Sequence, residues 1–211
     1  MKFEFLNDLD DYFCEQYANY DRLCVLPGYR VPKMQDTRID EYGRKTAYTL
    51  PANTMRLALQ ENKTDLLKKV KEGYLDKSFS FTFRPLSLWH RFTGLFEKVT
   101  FLKVLKQIAG RHGMTAEQAF SGLEIPEEAK KGILKGKFYP SKNLLLSMAL
   151  ASHFTSKETD ALLAVCGYEM DFEEVKDVVI SYLLANGIYN FAMVQAALEE
   201  YGVKNLFLKQ E

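Results

Sequence analysis

Repeated start and stop signals divide the second half of the chain into short helical segments. From about residue 99 onward, apolar residues recur at helical spacing, and most of these runs are closed by a glycine. The closing glycines are Gly113, Gly136, Gly167 and Gly202. Thr115 and Thr155 stand three residues before Gln118 and Glu158, which is the spacing of a capping box at a helix start. These helix start and stop signals predict a bundle of short helices.

The spacing predicts seven helices after residue 99. They cover residues 101–111, a short stretch after Thr115, then 125–135, 141–151, 155–166, 173–185 and 190–201. Ser141 and Asn190 are predicted to open two of them, and Asp171 with Glu174 predicts a third capping box.

The first part of the chain shows mixed patterns. Helices are predicted over Leu6–Tyr20, Thr54–Gln60, Lys63–Tyr74 and Leu86–Phe96, and strands around Cys24–Leu26, Thr46–Leu50 and Phe79–Phe83. We therefore predict a mostly α fold in two parts. Residues 1–98 form an irregular α+β region, and residues 99–211 form a helical domain on which the N-terminal helix and the 86–96 helix pack.

Composition and charge exclude several classes of protein. Hydrophobic residues make up 47% of the chain, so intrinsic disorder is not expected to be its main state. The formal net charge is zero, which excludes a uniformly basic coat, but it hides an asymmetry. Residues 1–98, 99–154 and 155–211 carry net charges of +2, +4 and −6. The positive segment 99–154 can bind an anionic partner, or it can pack against the negative segment 155–211.

The sequence contains no pattern of a membrane protein or a secreted one. No apolar run approaches the roughly 18 residues of a membrane span, and the N-terminus has no apolar signal region. The three cysteines include no CxxC pair, so we expect free thiols and a cytoplasmic location. Cys166 fits a buried apolar position on a helix better than a catalytic nucleophile.

No constellation of catalytic or metal-binding residues stands out. The phosphate-binding glycine motifs and the GxSxG nucleophile motif are absent, so we expect neither an enzyme nor a bound cofactor. An enzyme housed in residues 1–98 stays open as the last-ranked alternative. The acidic residues between 169 and 177 lack the spacing of a calcium loop. They are Glu169, Asp171, Glu173, Glu174 and Asp177, and we interpret them as helix capping plus a solvated face.

The helical pattern from about residue 101 to 167 resembles the lambda-repressor-like, Xre-type helix-turn-helix domain. The resemblance rests on the segments 113–120 and 125–136, on the Gly136-x-x-x-Pro140 spacing, on the Leu/Ala-rich run 144–151 and on the stretch 159–163. It implies a helix-turn-helix-like bundle extended by two C-terminal helices.

The resemblance also implies a function. Domains of this class bind double-stranded DNA with the third helix in the major groove and usually work as dimers, so it implies a DNA-binding regulatory protein, and a homodimer. The residues that it places near DNA, chiefly for phosphate contacts, are Gln118, Lys130, Lys131, Lys135, Lys137, Tyr139 and Lys142.

Two residues favour a different function. Glu127 and Glu128 occupy the reading end of the third helix, where carboxylates would face DNA phosphates. The alternative is a protein–protein interaction module that keeps the fold and does not read DNA, and its partner would be a protein.

Overall fold

The computed structural model describes residues 3–17, 35–39, 45–49, 63–74, 84–85, 100–204 and 206–209. Within them the chain is mostly α-helical, as the sequence predicts. The α-helices are α1 Phe5–Tyr17, α2 Lys63–Gly73, α3 Phe101–Arg111, α4 Glu127–Leu134, α5 Lys142–Ala151, α6 Ser156–Val165, α7 Val175–Ala185 and α8 Phe191–Glu200. A 3-10 helix at Gln118–Phe120 precedes α4.

Two small antiparallel sheets accompany the helices. Strand β1 (Gln35–Ile39) pairs with β2 (Lys45–Thr49), and Gln35 lies opposite Thr49. Strand β3 (Arg84–Pro85) pairs with β4 (Phe138–Tyr139) and thereby joins the first part of the chain to the segment after α4. The elements predicted at 24–26, 54–60, 79–83 and 86–96 lie outside the described residues.

Helix α5 is central to the core. Its residues from Asn143 to Leu150 are all buried, because most of them are apolar and the helix is covered on every side. Helix α7 is buried from Val175 to Ile180, a stretch that includes the charged Lys176 and Asp177. Helix α1 packs against α7 and α2 through Leu6, Leu9 and Phe13, so the predicted packing of the N-terminal helix on the bundle is confirmed.

The predicted helix caps are largely present. Thr155 and Glu158 form the reciprocal bonds of a capping box, and Ser141 and Asn190 accept backbone N–H groups at the starts of α5 and α8. The Thr115–Gln118 bonds also form, but the element they open is a single 3-10 turn followed by turns.

The capping box predicted at Asp171 is wrong. Helix α7 begins at Val175, and its N-cap residue Glu174 makes no side-chain cap. The backbone N–H of Asp171 instead donates to Oδ2 of the buried Asp177 at 2.8 Å, and the N–H of Glu173 donates to the Asp171 carboxylate. These two bonds hold the chain in a turn until α7 starts.

A polar cluster connects the two ends of the chain. Lys71 of α2 donates to Asp10 of α1 at 2.7 Å and to Glu200 of α8 at 2.9 Å. The hydroxyl of Tyr201, which is fully buried, donates to the same oxygen of Asp10 at 2.6 Å. Burial, together with this bond to a carboxylate, raises the pKa of Tyr201 well above its usual value. The cluster ties α1, α2 and α8 into one unit.

Among the described residues, no helix has both the length and the apolar character needed to cross a membrane.

Candidate nucleic-acid interface

Helix α4 covers the segment that the sequence resemblance takes as the third helix. Its first turn carries Glu127 and Glu128, where negative charge interacts favourably with the helix dipole. Gly132 and Ile133 are buried against the bundle. The exposed side of this segment carries both signs of charge. Glu127 and Glu128 are exposed at its start, and Lys131 and Lys135 are exposed toward its end.

The segment after α4 folds back onto the helix. The N–H of Lys137 donates to the carbonyl of Gly132 at 2.8 Å, and Gly136 adopts a positive φ of 64° at the turn. The ring of Phe138 then lies on Gly132, so closely that a Cβ there would come within 2.3 Å of it. Tyr139 is half-buried in β4, beside Arg84 of β3. Glycine at position 132 is therefore what permits this close packing.

Three of the seven predicted contact residues are engaged within the protein. Gln118 completes the cap, since its Oε1 accepts the N–H of Thr115 at 2.7 Å. The Lys130 ammonium lies 3.7 Å from Glu117 and 3.8 Å from Glu127, and its side chain is only 16% exposed. Lys142 forms an ion pair with Asp177.

The pair between Lys142 and Asp177 corrects the interpretation of the acidic residues as a solvated face for one of the five, since the other four are exposed. Asp177 is fully buried, and its Oδ2 accepts both the Lys142 ammonium and the N–H of Asp171. Its Oδ1 makes no hydrogen bond to the described part of the chain. A buried carboxylate needs such partners, because desolvation otherwise makes its charged form costly.

Three predicted contact residues remain exposed. They are Lys131, Lys135 and Lys137, and none of them forms an ion pair within the described residues. Lys131 lies in the last turn of α4, Lys135 is the C-cap residue four positions on, and Lys137 follows in the turn. Together they form a cationic end of α4, which we call the lysine end.

The C-terminal tail, residues 206–209, lies against the loop that leads into α4, a packing that the sequence did not predict. The carbonyl of Phe207 accepts the N–H of Glu124 at 2.7 Å, and the N–H of Lys209 donates to the carbonyl of Gly122 at 3.0 Å. The N–H of Phe207 also donates to Oγ of Ser147 at 2.9 Å. The apolar run Leu206-Phe207-Leu208 could have indicated that the tail is buried, but not which residues it packs against.

A groove of about 560 Å³ lies between the tail and the start of α4. Ile125 and Phe207 form part of its apolar lining, and Glu127 and Lys130 line it as well. No group of three or more side chains that could hold a metal ion occurs in the described parts of the chain.

Comparisons with protein-family models, with curated proteins and with solved structures found no match to this chain.

Proposed function

We propose that this protein is a cytoplasmic DNA-binding regulatory protein of the lambda-repressor-like helix-turn-helix class. The observation that carries the proposal is the lysine end of α4, where Lys131, Lys135 and Lys137 are exposed and free of ion pairs within the described residues. Lysines in this state neutralise phosphates and release counterions from duplex DNA, which supplies most of the affinity of non-specific binding.

The acids at the start of α4 restrict how the helix meets DNA. Glu127 and Glu128 are exposed on the same face as the lysines, so the N-terminal turn of α4 repels phosphates. In this proposal, phosphate contacts at the lysine end provide the docking, and the first turn contributes little base reading beyond accepting from a cytosine amino group.

A charge-reversal experiment tests the docking surface. We expect Lys131→Glu combined with Lys135→Glu to weaken binding to a fluorescent random-sequence duplex by at least about tenfold at low salt, because two phosphate contacts become repulsive. Fluorescence anisotropy measures the affinity. Glu127→Gln combined with Glu128→Gln is expected to tighten binding.

The matched control reverses two lysines elsewhere. Lys68→Glu combined with Lys157→Glu changes the net charge equally, and both side chains are exposed on other helices. If the control loses as much affinity as the α4 variant, the effect comes from overall charge, and α4 is not the docking surface.

The exposed acids favour a second candidate, a protein-interaction module. Glu127 is 69% exposed at the rim of an apolar groove that the tail helps to form. An apolar centre with a charged rim is typical of protein interfaces. This candidate predicts no duplex binding even at low salt, together with capture of a protein partner that Glu127→Lys, an exposed change at the rim of the groove, abolishes.

A further inference from the structure

Six successive helices end with the same backbone motif, but at one of them the residue with positive φ is not a glycine. After each of α3 to α8, a residue with positive φ is followed by a backbone N–H that donates back into the last turn, as between Phe154 and the carbonyl of Ala149 at 2.9 Å. Five of these residues are glycines: Gly113, Gly136, Gly167, Gly187 and Gly202. After α5 the residue is His153, with φ 57°.

Histidine at this position is conformationally costly. A residue with a Cβ pays a steric cost in the left-handed region that glycine does not pay. At the five remaining helix ends the residue with positive φ is a glycine. Strain of this kind is concentrated at binding and catalytic sites, so the imidazole itself requires an explanation.

The imidazole of His153 forms part of an aromatic platform. It is exposed and stacks on the ring of Tyr189, with the ring centroids 4.8 Å apart and the planes 15° apart. The hydroxyl of Tyr189 donates to the carbonyl of Phe154 at 2.8 Å, which fixes the ring that supports the imidazole. Both rings line a groove of about 640 Å³ between the end of α5, the start of α8 and the tail. This volume suits a small organic molecule.

The groove has an apolar floor and a positive rim. Leu150, Val194 and Leu208 are among its apolar lining residues. Lys209 also lines the groove, and its ammonium donates to the carbonyl of Ser121 at 2.7 Å, a bond that leaves its charge without a counter-ion among the described residues. The first turn of α8, at Phe191 and Ala192, adds the positive end of a helix dipole. No acidic side chain is among the described residues that line this groove.

We propose that this groove binds a small organic anion that carries a planar aromatic ring. The ring stacks on the platform of His153 and Tyr189 and covers the apolar floor. The acid group interacts with Lys209 and the N-terminal turn of α8. The site is separate from the lysine end of α4, and the proposal does not depend on DNA binding.

An NMR titration of the full chain tests the site. The probes are salicylate, indole-3-acetate and adenosine monophosphate, with salicylamide as the uncharged counterpart of salicylate. We expect at least one anion to shift the backbone amides of residues 189–192 and 209 with a Kd below about 1 mM, and salicylamide to bind at least about tenfold more weakly. Failure of all three anions to shift these amides overturns the proposal.

The variant His153→Gly separates binding from folding. Because glycine relieves the strained φ, we expect the melting temperature to stay the same or rise while affinity for the anion falls at least about tenfold. Gly167→His, at the equivalent end of α6 where a Cβ meets nothing within 4 Å, measures what a histidine costs at such a position. A lower melting temperature for His153→Gly, or unchanged affinity, would show that the imidazole serves the fold and contradict the proposal.

Discussion

A side chain at position 132 would collide with the ring of Phe138, so only glycine fits there without a shift of that ring. Glycine inside a helix is ordinarily unfavourable relative to alanine by roughly 0.5–1 kcal/mol. Here the close approach of the Phe138 ring to the helix backbone outweighs that preference.

Gly132→Ala is therefore expected to destabilise the protein by about 1–3 kcal/mol, because the ring of Phe138 must move. Urea unfolding followed by circular dichroism measures the change. The matched control is Gly110→Ala in α3, where a Cβ meets nothing within 4 Å, and we expect it to stabilise by up to about 1 kcal/mol. Equal effects at the two positions would contradict the packing of Phe138 on α4.

Asp177 shows why some residues could not be placed from the sequence. It belongs to a run of acids whose other members Glu169, Asp171, Glu173 and Glu174 are exposed, and its local pattern resembles theirs. Only the fold brings Lys142 of α5 to it and buries the carboxylate. Local patterns describe helix ends well, but a pairing between two helices depends on how the helices pack.

At the scale of the element, Glu158 combines a helix cap with an ion pair. Its carboxylate accepts the N–H of Thr155 at 3.0 Å and lies 2.9 Å from Nε2 of His112, the residue that follows α3. Partial burial alone would raise the pKa of Glu158, but the hydrogen bonds from Thr155 and His112 outweigh it and lower the pKa below 4.5. Glu158 thus connects the end of α3 to the start of α6.

This shift predicts a dependence of stability on pH. Because the folded-state pKa is lowered, the stabilisation is fully present above the unfolded value near 4.5 and is lost as the pH falls through the folded value. Glu158→Gln is expected to destabilise the protein near neutral pH and to flatten the loss of stability below pH 4.5. Unfolding free energies measured across this range test the prediction, with Glu169→Gln on the exposed surface as the control. Parallel pH profiles for wild type and Glu158→Gln would contradict it.

The tail is the element that holds the loop before α4. Phe207 is 3% exposed, so Phe207→Ala is expected to cost about 3–5 kcal/mol. It is also expected to speed hydrogen exchange at the amide of Glu124, which donates to the Phe207 carbonyl. Leu208→Ala, at a half-buried neighbour, is the control and is expected to cost less. Unchanged exchange at Glu124 in Phe207→Ala would show that the tail does not hold this loop.

The helices could be predicted because their signals are local, and the tail could not. Thr155 with Glu158 and the glycine ends mark α6 within a few residues along the chain. The tail packs against residues more than fifty positions away, through backbone groups that carry no sequence signature. The same reasoning applies to Lys130, whose engagement with Glu117 depends on the turns between the two residues.

At the scale of the whole molecule, the two ends of the chain share one core. Helix α1 packs on α7, and the polar cluster of Asp10, Lys71, Glu200 and Tyr201 adds bonds that span almost the full length of the sequence. The helical periodicity of α1 predicted a buried face. That periodicity does not indicate which carboxylate pairs with Lys71, because the pairing depends on how α1, α2 and α8 pack together.

DNA docking through the lysine end is tested by the affinity of the wild-type chain for random duplex DNA as a function of salt. If the three lysines of the lysine end each contact a phosphate, log K falls with log salt with a slope of about −2.7. We expect clear binding at low salt and a slope of about −2 to −3. Absence of binding at low salt, or affinity that does not change with salt, would contradict it.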